Sequence, residues 1–247
     1  MQKKIDGFSK WYKKYIGHYI PEYAFFSLIA CFVVNCLVYW FTQFIISDMH
    51  LHDFTTSFDR AIPFMPEWVL IYILSYPFWV ISYIIIARYN TKEFWFKFVT
   101  ADMMARVVCG FIFLLIPTTN IRPIITDSGV WDKLMEMIYF LDQPTDLFPS
   151  IHCLASLMCY LGMRKNENVA KWYRVATLVF AILVFASTQF TKQHYIVDVI
   201  GGVVVAVLSF AVAKHTNWYE KVMYLFDKLT IKAFRGTLDE VKQKNSI

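Results

Sequence analysis

A histidine and an aspartate, His194 and Asp198, stand four residues apart between two long apolar segments. Side chains at this spacing share one face of a helix, so the carboxylate can hold one ring nitrogen of the imidazole. The other ring nitrogen is then free to attack an electrophile or to move a proton. The spacing therefore indicates nucleophilic or acid–base chemistry, with half of a metal site as the alternative.

Two further groups of polar residues lie at the ends of apolar segments. Arg122 follows the third segment, and Ser150 and His152 open the fourth. An arginine can donate two hydrogen bonds to one phosphate group, and a helix beginning near Ser150 would offer backbone N–H groups to the same anion. His152 could protonate a leaving alkoxide while His194 attacks phosphorus. These residue types predict phosphoryl transfer.

The composition is that of a chain embedded in a lipid bilayer. Of the 247 residues, 57% are hydrophobic and 17% are charged, whereas soluble domains have about 25% charged residues. About 20 consecutive apolar residues cross the hydrocarbon core of a bilayer. Such segments are found at residues 24–46, 67–87, 98–117, 149–164, 172–190 and 195–213. We therefore predict an all-α fold, a polytopic bundle of six transmembrane helices.

The distribution of lysine and arginine predicts the orientation of the bundle. With a cytoplasmic N-terminus, the basic residues gather in the inside segments, and the outside segments keep Arg60, Arg122, Lys133 and Lys192. Both termini are then cytoplasmic, and all three polar groups lie on the outer side. The net charge of +5 forms a collar at the cytoplasmic membrane surface, which argues against nucleic acid as a partner.

The chain divides into three parts. Residues 1–21 are predicted to be a basic amphipathic segment on the membrane surface, and residues 22–213 hold the six-span domain. Residues 214–247 are predicted to be a basic, amphipathic cytoplasmic tail. A short amphipathic helix over residues 131–141 is expected near the outer interface, because apolar and charged residues alternate there with helical spacing.

Several polar or small residues inside the spans are interpreted structurally. Asp102 and Arg106 are four residues apart in the third span and are expected to neutralise each other. Gly201 and Gly202 are expected to permit close helix packing in the sixth span. The five cysteines all lie in apolar segments and predict neither a disulfide framework nor a metal site.

The polar groups resemble the signatures of the type 2 phosphatidic acid phosphatase superfamily, which are K-x6-R-P, P-S-G-H and S-R-x5-H-x3-D. That superfamily also includes vanadium haloperoxidases, sphingomyelin synthases and inositol phosphorylceramide synthases. The matching residues are Arg122-Pro123, Pro149, Ser150, His152, Ser187, His194 and Asp198. The order of the motifs and the six-span layout match as well, over residues from about 24 to 213.

The resemblance implies a role for each matching polar residue. His194 would be the nucleophile, Asp198 its orienting carboxylate and His152 the general acid, while Arg122 and Ser150 would bind phosphate. No metal or other cofactor is implied.

The chain departs from the signatures at three positions. Leu115 stands in place of the lysine, Ile151 in place of the glycine and Thr188 in place of the arginine. Two phosphate-binding cations are thereby lost, and Lys192, the only cation adjoining His194, is predicted to supply one of them. The altered motifs are more similar to those of inositol phosphorylceramide synthases, which pass a phosphorylated head group between lipids.

Three functions are compatible with these residues. We predict a lipid phosphate phosphatase that hydrolyses phosphatidic acid or a polyprenyl phosphate through a phosphohistidine, on the extracytoplasmic side of a bacterial plasma membrane. The alternative is a head-group phosphotransferase with a second lipid as acceptor. A non-catalytic six-span carrier or scaffold is the third, although it would place intramembrane charges along a path through the bundle.

Overall fold

A computed structural model of the chain describes residues 2–126 and 129–234. The part of the predicted tail at residues 235–247 lies outside the described residues. The helices are α1 (Gln2–Tyr15), α2 (Glu22–Ile46), α3 (Ser57–Ala61), α4 (Val69–Tyr89), α5 (Lys92–Leu115), α6 (Val130–Leu141), α7 (Ile151–Met163), α8 (Lys171–Phe190), α9 (Ile196–His215) and α10 (Trp218–Phe234). A 3-10 turn (Pro66–Trp68) leads into α4, and the strands β1 (His52–Asp53) and β2 (Thr118–Thr119) form a short parallel pair.

Five of the helices are long and apolar enough to cross a membrane. They are Glu22–Ile46, Pro66–Tyr89, Lys92–Leu115, Lys171–Phe190 and Ile196–His215. Each of them overlaps one of the predicted spans over most of its length. The third helix of this set, α5, is the most enclosed, and it packs against α2, α9 and α10.

The predicted fourth span is the exception, because α7 has only 13 residues. At 1.5 Å per residue it is about 20 Å long, which is shorter than the hydrocarbon core of about 30 Å. Nine of its residues are buried between α4, α8 and α9. The prediction of six full-length spans is therefore not confirmed. The structure has five long apolar helices among the described residues and a short apolar helix enclosed by them.

The charged pair inside α5 forms as predicted. Arg106 donates from Nε and Nη2 to the two carboxylate oxygens of Asp102, at 3.1 Å each. Tyr83 donates its hydroxyl to the same carboxylate at 2.6 Å, and Asn35 accepts a further hydrogen bond from Arg106. The guanidinium and the carboxylate thus neutralise each other inside the bundle.

The segments expected to be amphipathic are helical, as α1, α6 and α10. In α1, the Tyr12 ring packs against Phe234 of α10 with a centroid distance of 4.7 Å, and against Phe25 of α2 at 5.2 Å. These contacts tie both terminal helices to the bundle. Their position at the membrane surface stays a prediction.

Candidate active site

The three polar groups of the sequence meet at one end of the bundle. The Thr118 hydroxyl accepts hydrogen bonds from the backbone N–H groups of Leu147 and Phe148. The N–H of Ser150, at the start of α7, donates to the carbonyl of Asp198 in α9 at 3.0 Å. Loops after α5, before α7 and before α9 are therefore bonded to one another, as their shared side in the predicted topology requires.

Close packing of α9 on α7 depends on a glycine. A Cβ atom at Gly202 would collide with the carbonyl oxygen of Ser150, and one at Gly201 would lie 2.5 Å from the Phe148 ring. The expected role of these glycines in helix packing is confirmed. Because neither glycine has a side chain, the start of α7, which carries His152, can lie close to the start of α9.

A cavity of about 310 Å³ lies at this end of the bundle. It is lined by Asn35 and Tyr39 from α2, Tyr76 and Trp79 from α4, and His194, together with Ile138, Leu141, Asp142, Thr145, Asp146, Leu147, Ile151 and His152. The ring centroids of His152 and His194 are 5.8 Å apart. Two histidines that are 42 residues apart in the sequence thus face one cavity, whose wall also includes residues of α2 and α4.

His194 is held in the loop between α8 and α9. Its backbone N–H donates to the Thr188 carbonyl and its carbonyl accepts from the Gln189 side chain, both at 3.0 Å. Its Nδ1 atom lies 3.6 Å from the Asp198 carboxylate and has no hydrogen-bond partner. That carboxylate also accepts from the Tyr195 N–H at 2.8 Å, capping α9. Nε2 is therefore the nitrogen of His194 that is available to the cavity.

His152 is enclosed by aromatic side chains of α4. Its ring stacks on Tyr72 with a centroid distance of 4.3 Å, and Trp79 lies at 5.1 Å. The Tyr72 hydroxyl donates its proton to the Asp142 carboxylate at 2.8 Å and lies 3.5 Å from Nδ1 of His152. Nε2 of His152 lies 3.3 Å from the Tyr76 hydroxyl. A carboxylate therefore lies near each histidine: Asp198 is 3.6 Å from Nδ1 of His194, and Asp142 is joined to His152 through Tyr72.

Arg122 lies behind the cavity, and it does not line it. Its guanidinium donates to the carbonyls of Tyr139 and Asp142 and to the side chain of Gln193, and it stacks over the Tyr139 ring at 4.6 Å. Burial lowers the pKa of Arg122 from its ordinary value, with the nearby Asp142 opposing this shift. In this structure Arg122 joins the end of α6 to the residue before His194.

Ser150 is fully buried as the N-cap of α7. Its hydroxyl accepts from the Cys153 N–H at 3.3 Å, and it does not line the cavity. Two of the three predicted phosphate ligands, Arg122 and Ser150, therefore lie outside the lining of the cavity that holds the two histidines.

Lys192 is placed differently from the prediction. Its ammonium donates to the carbonyls of Asp59 and Ile62, at 2.7 and 2.6 Å, and is directed toward α3. The Asp59 carboxylate in turn accepts from the backbone N–H of Ile196, the first residue of α9, at 2.8 Å. Partial burial lowers the pKa of Lys192. Lys192 before His194 and Ile196 after it are thus both hydrogen-bonded to Asp59 of α3. Sequence spacing could not reveal this contact.

We expect Lys192→Ala to act through the position of His194. Loss of two hydrogen bonds from a charged group should destabilise the protein by about 2 kcal/mol, and misplacement of His194 should lower kcat about 10-fold or more. KM should change little, and Lys192→Arg should recover most of the turnover. Steady-state kinetics and thermal unfolding would measure both effects, with Lys133→Ala, an exposed lysine of α6, as the control. A raised KM at unchanged kcat would instead make Lys192 a substrate ligand.

The charges around the cavity are mostly negative. Asp142 and Asp146 line it, and no lysine or arginine is found among the described residues that do so. Burial raises the pKa of the Asp146 carboxyl to about 6. Neither aspartate was assigned a role from the sequence, although both lie just before the Pro149 motif.

The part of the chain that the structure describes holds no cluster of three or more histidine, cysteine or acidic side chains that could bind a metal ion. All five cysteines are unpaired, and four of them are buried. Their interpretation as small hydrophobic residues is confirmed.

Comparison with known proteins adds one finding. A family model described as the PAP2 superfamily matches residues 56–212, from the segment before α3 to the end of α9. Neither the curated proteins nor the solved structures contain a match to the chain. The matched residues exceed half of the chain and include both cavity histidines, Asp198 and Arg122. This membrane-embedded chain therefore belongs to the PAP2 superfamily, that of the type 2 phosphatidic acid phosphatases.

Proposed function

We propose that the chain is an integral-membrane enzyme that hydrolyses phosphate esters of lipids, such as phosphatidic acid, through a phosphohistidine on His194. The observation that carries this proposal is the pair of imidazoles 5.8 Å apart in one cavity. A carboxylate lies near each ring: Asp198 is 3.6 Å from Nδ1 of His194, and Asp142 accepts from Tyr72, which stacks on His152. A nucleophile and a general acid need such neighbours to orient them.

In the first step, Nε2 of His194 attacks phosphorus. A nitrogen–phosphorus bond forms, the bond from phosphorus to the leaving alcohol breaks, and the leaving oxygen takes a proton from His152. Asp198 stabilises the positive charge that develops on the His194 ring. Its distance of 3.6 Å from Nδ1 must shorten for this, as is usual when a substrate tightens an active site.

In the second step, water takes the place of the departed alcohol. His152, now neutral, accepts a proton from the water while its oxygen bonds to phosphorus. The nitrogen–phosphorus bond breaks, phosphate leaves and His194 is restored. A lipid hydroxyl in place of water would turn the same step into a transfer.

Head-group transfer is the second candidate, because the phosphate-binding cations of the phosphatase signatures are missing here. Leu115, in the position of the lysine, is 77% exposed at the end of α5. Thr188, in the position of the arginine, is fully buried, and its carbonyl accepts from the N–H groups of Gln193 and His194. Neither position can supply a cation to the cavity.

Product analysis distinguishes the two candidates. Purified enzyme in detergent is incubated with labelled phosphatidic acid or phosphatidylinositol, with and without diacylglycerol or ceramide. Release of free phosphate or of a phosphorylated head group supports hydrolysis, and a newly labelled lipid supports transfer. If neither product forms, the proposed chemistry is wrong and a carrier or scaffold remains.

The side of the membrane is also part of the proposal. The excess of lysine and arginine in the predicted inside segments supports an active site on the outer face of a plasma membrane. Accessibility of a cysteine introduced at Lys133 to an impermeant reagent in intact cells would test the sidedness.

We expect the activity to be independent of metal ions. Two histidines and a proton shuttle supply the nucleophile and the acid, so no metal-bound water is needed. Turnover should be unchanged after dialysis against EDTA. Loss of turnover that added Mg²⁺ or Zn²⁺ restores would revive the metal-site alternative for His194 and Asp198.

A further inference from the structure

Asp146, in the wall of the cavity, has a carboxylate oxygen that lacks a hydrogen-bond partner. It is only 5% exposed, one carboxylate oxygen accepts from Thr42 at 2.8 Å, and the other, Oδ1, is buried without a hydrogen-bond partner. A buried carboxylate oxygen that lacks a partner costs free energy. The folded chain provides no donor for this oxygen among its described residues, whereas a bound ligand could.

The neighbouring charges do not compensate Asp146. Asp142 accepts hydrogen bonds from Tyr39 and Tyr72, and Arg122 donates to its carbonyl. The buried Arg106 is already neutralised by Asp102, as described above. The negative charge of Asp146 is therefore unpaired by any described cation, even though the cavity belongs to an enzyme expected to bind phosphate.

Aromatic rings belong to the wall of the same cavity. Tyr39, Tyr76 and Trp79 line it, as Asp146 does. The faces of such rings attract ammonium groups, including quaternary ammonium groups that offer no hydrogen-bond donor. A cavity that combines a carboxylate with aromatic walls favours an organic cation and disfavours a second negative charge.

A phosphate monoester would bring up to two negative charges close to Asp142 and Asp146, and like charges in a partly desolvated cavity repel each other strongly. A zwitterionic phosphodiester places one negative charge between the histidines and its positive charge on Asp146. The substrate best matched to this cavity is therefore a diester with a cationic head group.

We infer that the enzyme acts on phospholipids whose head group carries an ammonium charge, and that Asp146 is the residue that binds this charge. This inference rests on the proposed function and narrows its substrate class. With such a lipid, His194 takes the phosphoryl group with the head group attached, and diacylglycerol leaves with the proton of His152. Thr42 and Tyr39 of α2, which complete this wall, lie outside the family match at residues 56–212.

Binding of soluble head groups tests the inference without requiring turnover. The probes are sn-glycero-3-phosphocholine, sn-glycero-3-phosphoglycerol and sn-glycerol 3-phosphate, titrated against the tryptophan fluorescence of the full chain in detergent. Wild type and His194→Ala should both bind the phosphocholine probe about 10-fold or more tightly than the other two. In Asp146→Asn this preference should disappear, whereas Asp53→Asn, which alters an exposed acid at the same end of the bundle, should keep it.

Thermal unfolding separates binding from a structural role of Asp146. Removing an uncompensated buried charge should leave the Tm of Asp146→Asn equal to that of the wild type or higher, since asparagine also accepts the positive φ of 56° found there. A lowered Tm with equally weakened binding of all three probes would overturn the inference. Tighter binding of sn-glycerol 3-phosphate by the wild type would overturn it as well.

The same data keep the two proposals apart. If the phosphocholine probe binds as expected but no lipid is turned over, the proposed function fails and the head-group site stands. If lipids are turned over with phosphatidic acid preferred to phosphatidylcholine, the proposed function stands and the head-group site fails.

Discussion

Replacing His194 with alanine is expected to lower turnover by about three orders of magnitude or more, since the variant loses the nucleophile itself. The fold should survive, because the loop is held by the backbone of His194, by Lys192 and by the Asp198 cap, and not by the imidazole ring. Initial rates with phosphatidic acid and phosphatidylcholine, alongside thermal unfolding, measure both expectations.

The matched control is His50→Ala, which removes an exposed histidine from the loop after α2. It should keep full activity. If His194→Ala kept a substantial part of the wild-type rate with an unchanged Tm, the phosphohistidine mechanism would have to be abandoned.

The second large effect is expected for His152→Ala, and it should depend on the leaving group. Loss of the general acid should slow the cleavage of lipid esters about 10²- to 10⁴-fold, because an alkoxide must then leave without a proton. A p-nitrophenyl phosphate ester releases a stable phenolate, so its first turnover, which ends with release of the phenolate, should be impaired far less in the same variant. The ratio of the two first-turnover rates, compared with that of the wild type, is the measurement.

A structural role of His152 would not produce this pattern. The ring packs against Tyr72, Tyr76 and Trp79, so a packing defect would slow both substrates by the same factor. Equal slowing would therefore contradict the assignment of His152 as the acid. Exposed His52, replaced by alanine, provides the control.

The proximity of His194 to Asp198 could be predicted from the sequence, and so could the end of the bundle at which His152 meets them. His194 and Asp198 are local neighbours, and helical spacing alone places their side chains together. The meeting of His152 with His194 followed from apolar segments that put both motifs at one end of the bundle. The family match confirms the resemblance to the superfamily. The closeness of the two rings is a result of the fold that no local pattern contains.

The length of α7 could not be read from hydropathy. Apart from His152 and Ser156, the residues from Ile151 to Met163 are apolar or small, and they look like a span whether the neighbours are lipid or protein. The helix is short because its ends are fixed by tertiary contacts, at Ser150 to α9 and at Arg164, whose carbonyl faces Arg174 of α8. Such contacts are not local in sequence.

Contacts between residues that are distant in sequence could not be predicted either. Lys192 adjoins His194 and was expected to face phosphate, yet its ammonium is bound by Asp59 and Ile62, some 130 residues away. The same holds for Asp142, which supports His152 through Tyr72 of α4. Asp146 likewise has its partner, Thr42, in a helix 104 residues away.

The central claim is that His194 carries the transferred group. Its most direct test is mass spectrometry of peptides from enzyme that is mixed with substrate and quenched in base, which preserves phosphohistidine. We predict that the peptide containing His194 gains the mass of a phosphoryl group, or of the phosphorylated head group when the substrate is a diester. In His152→Ala the adduct should accumulate with a p-nitrophenyl phosphate ester, whose leaving group needs no proton while water attack is slowed. Turnover by the wild type with the adduct on another residue, or with no adduct in either protein, would contradict the account.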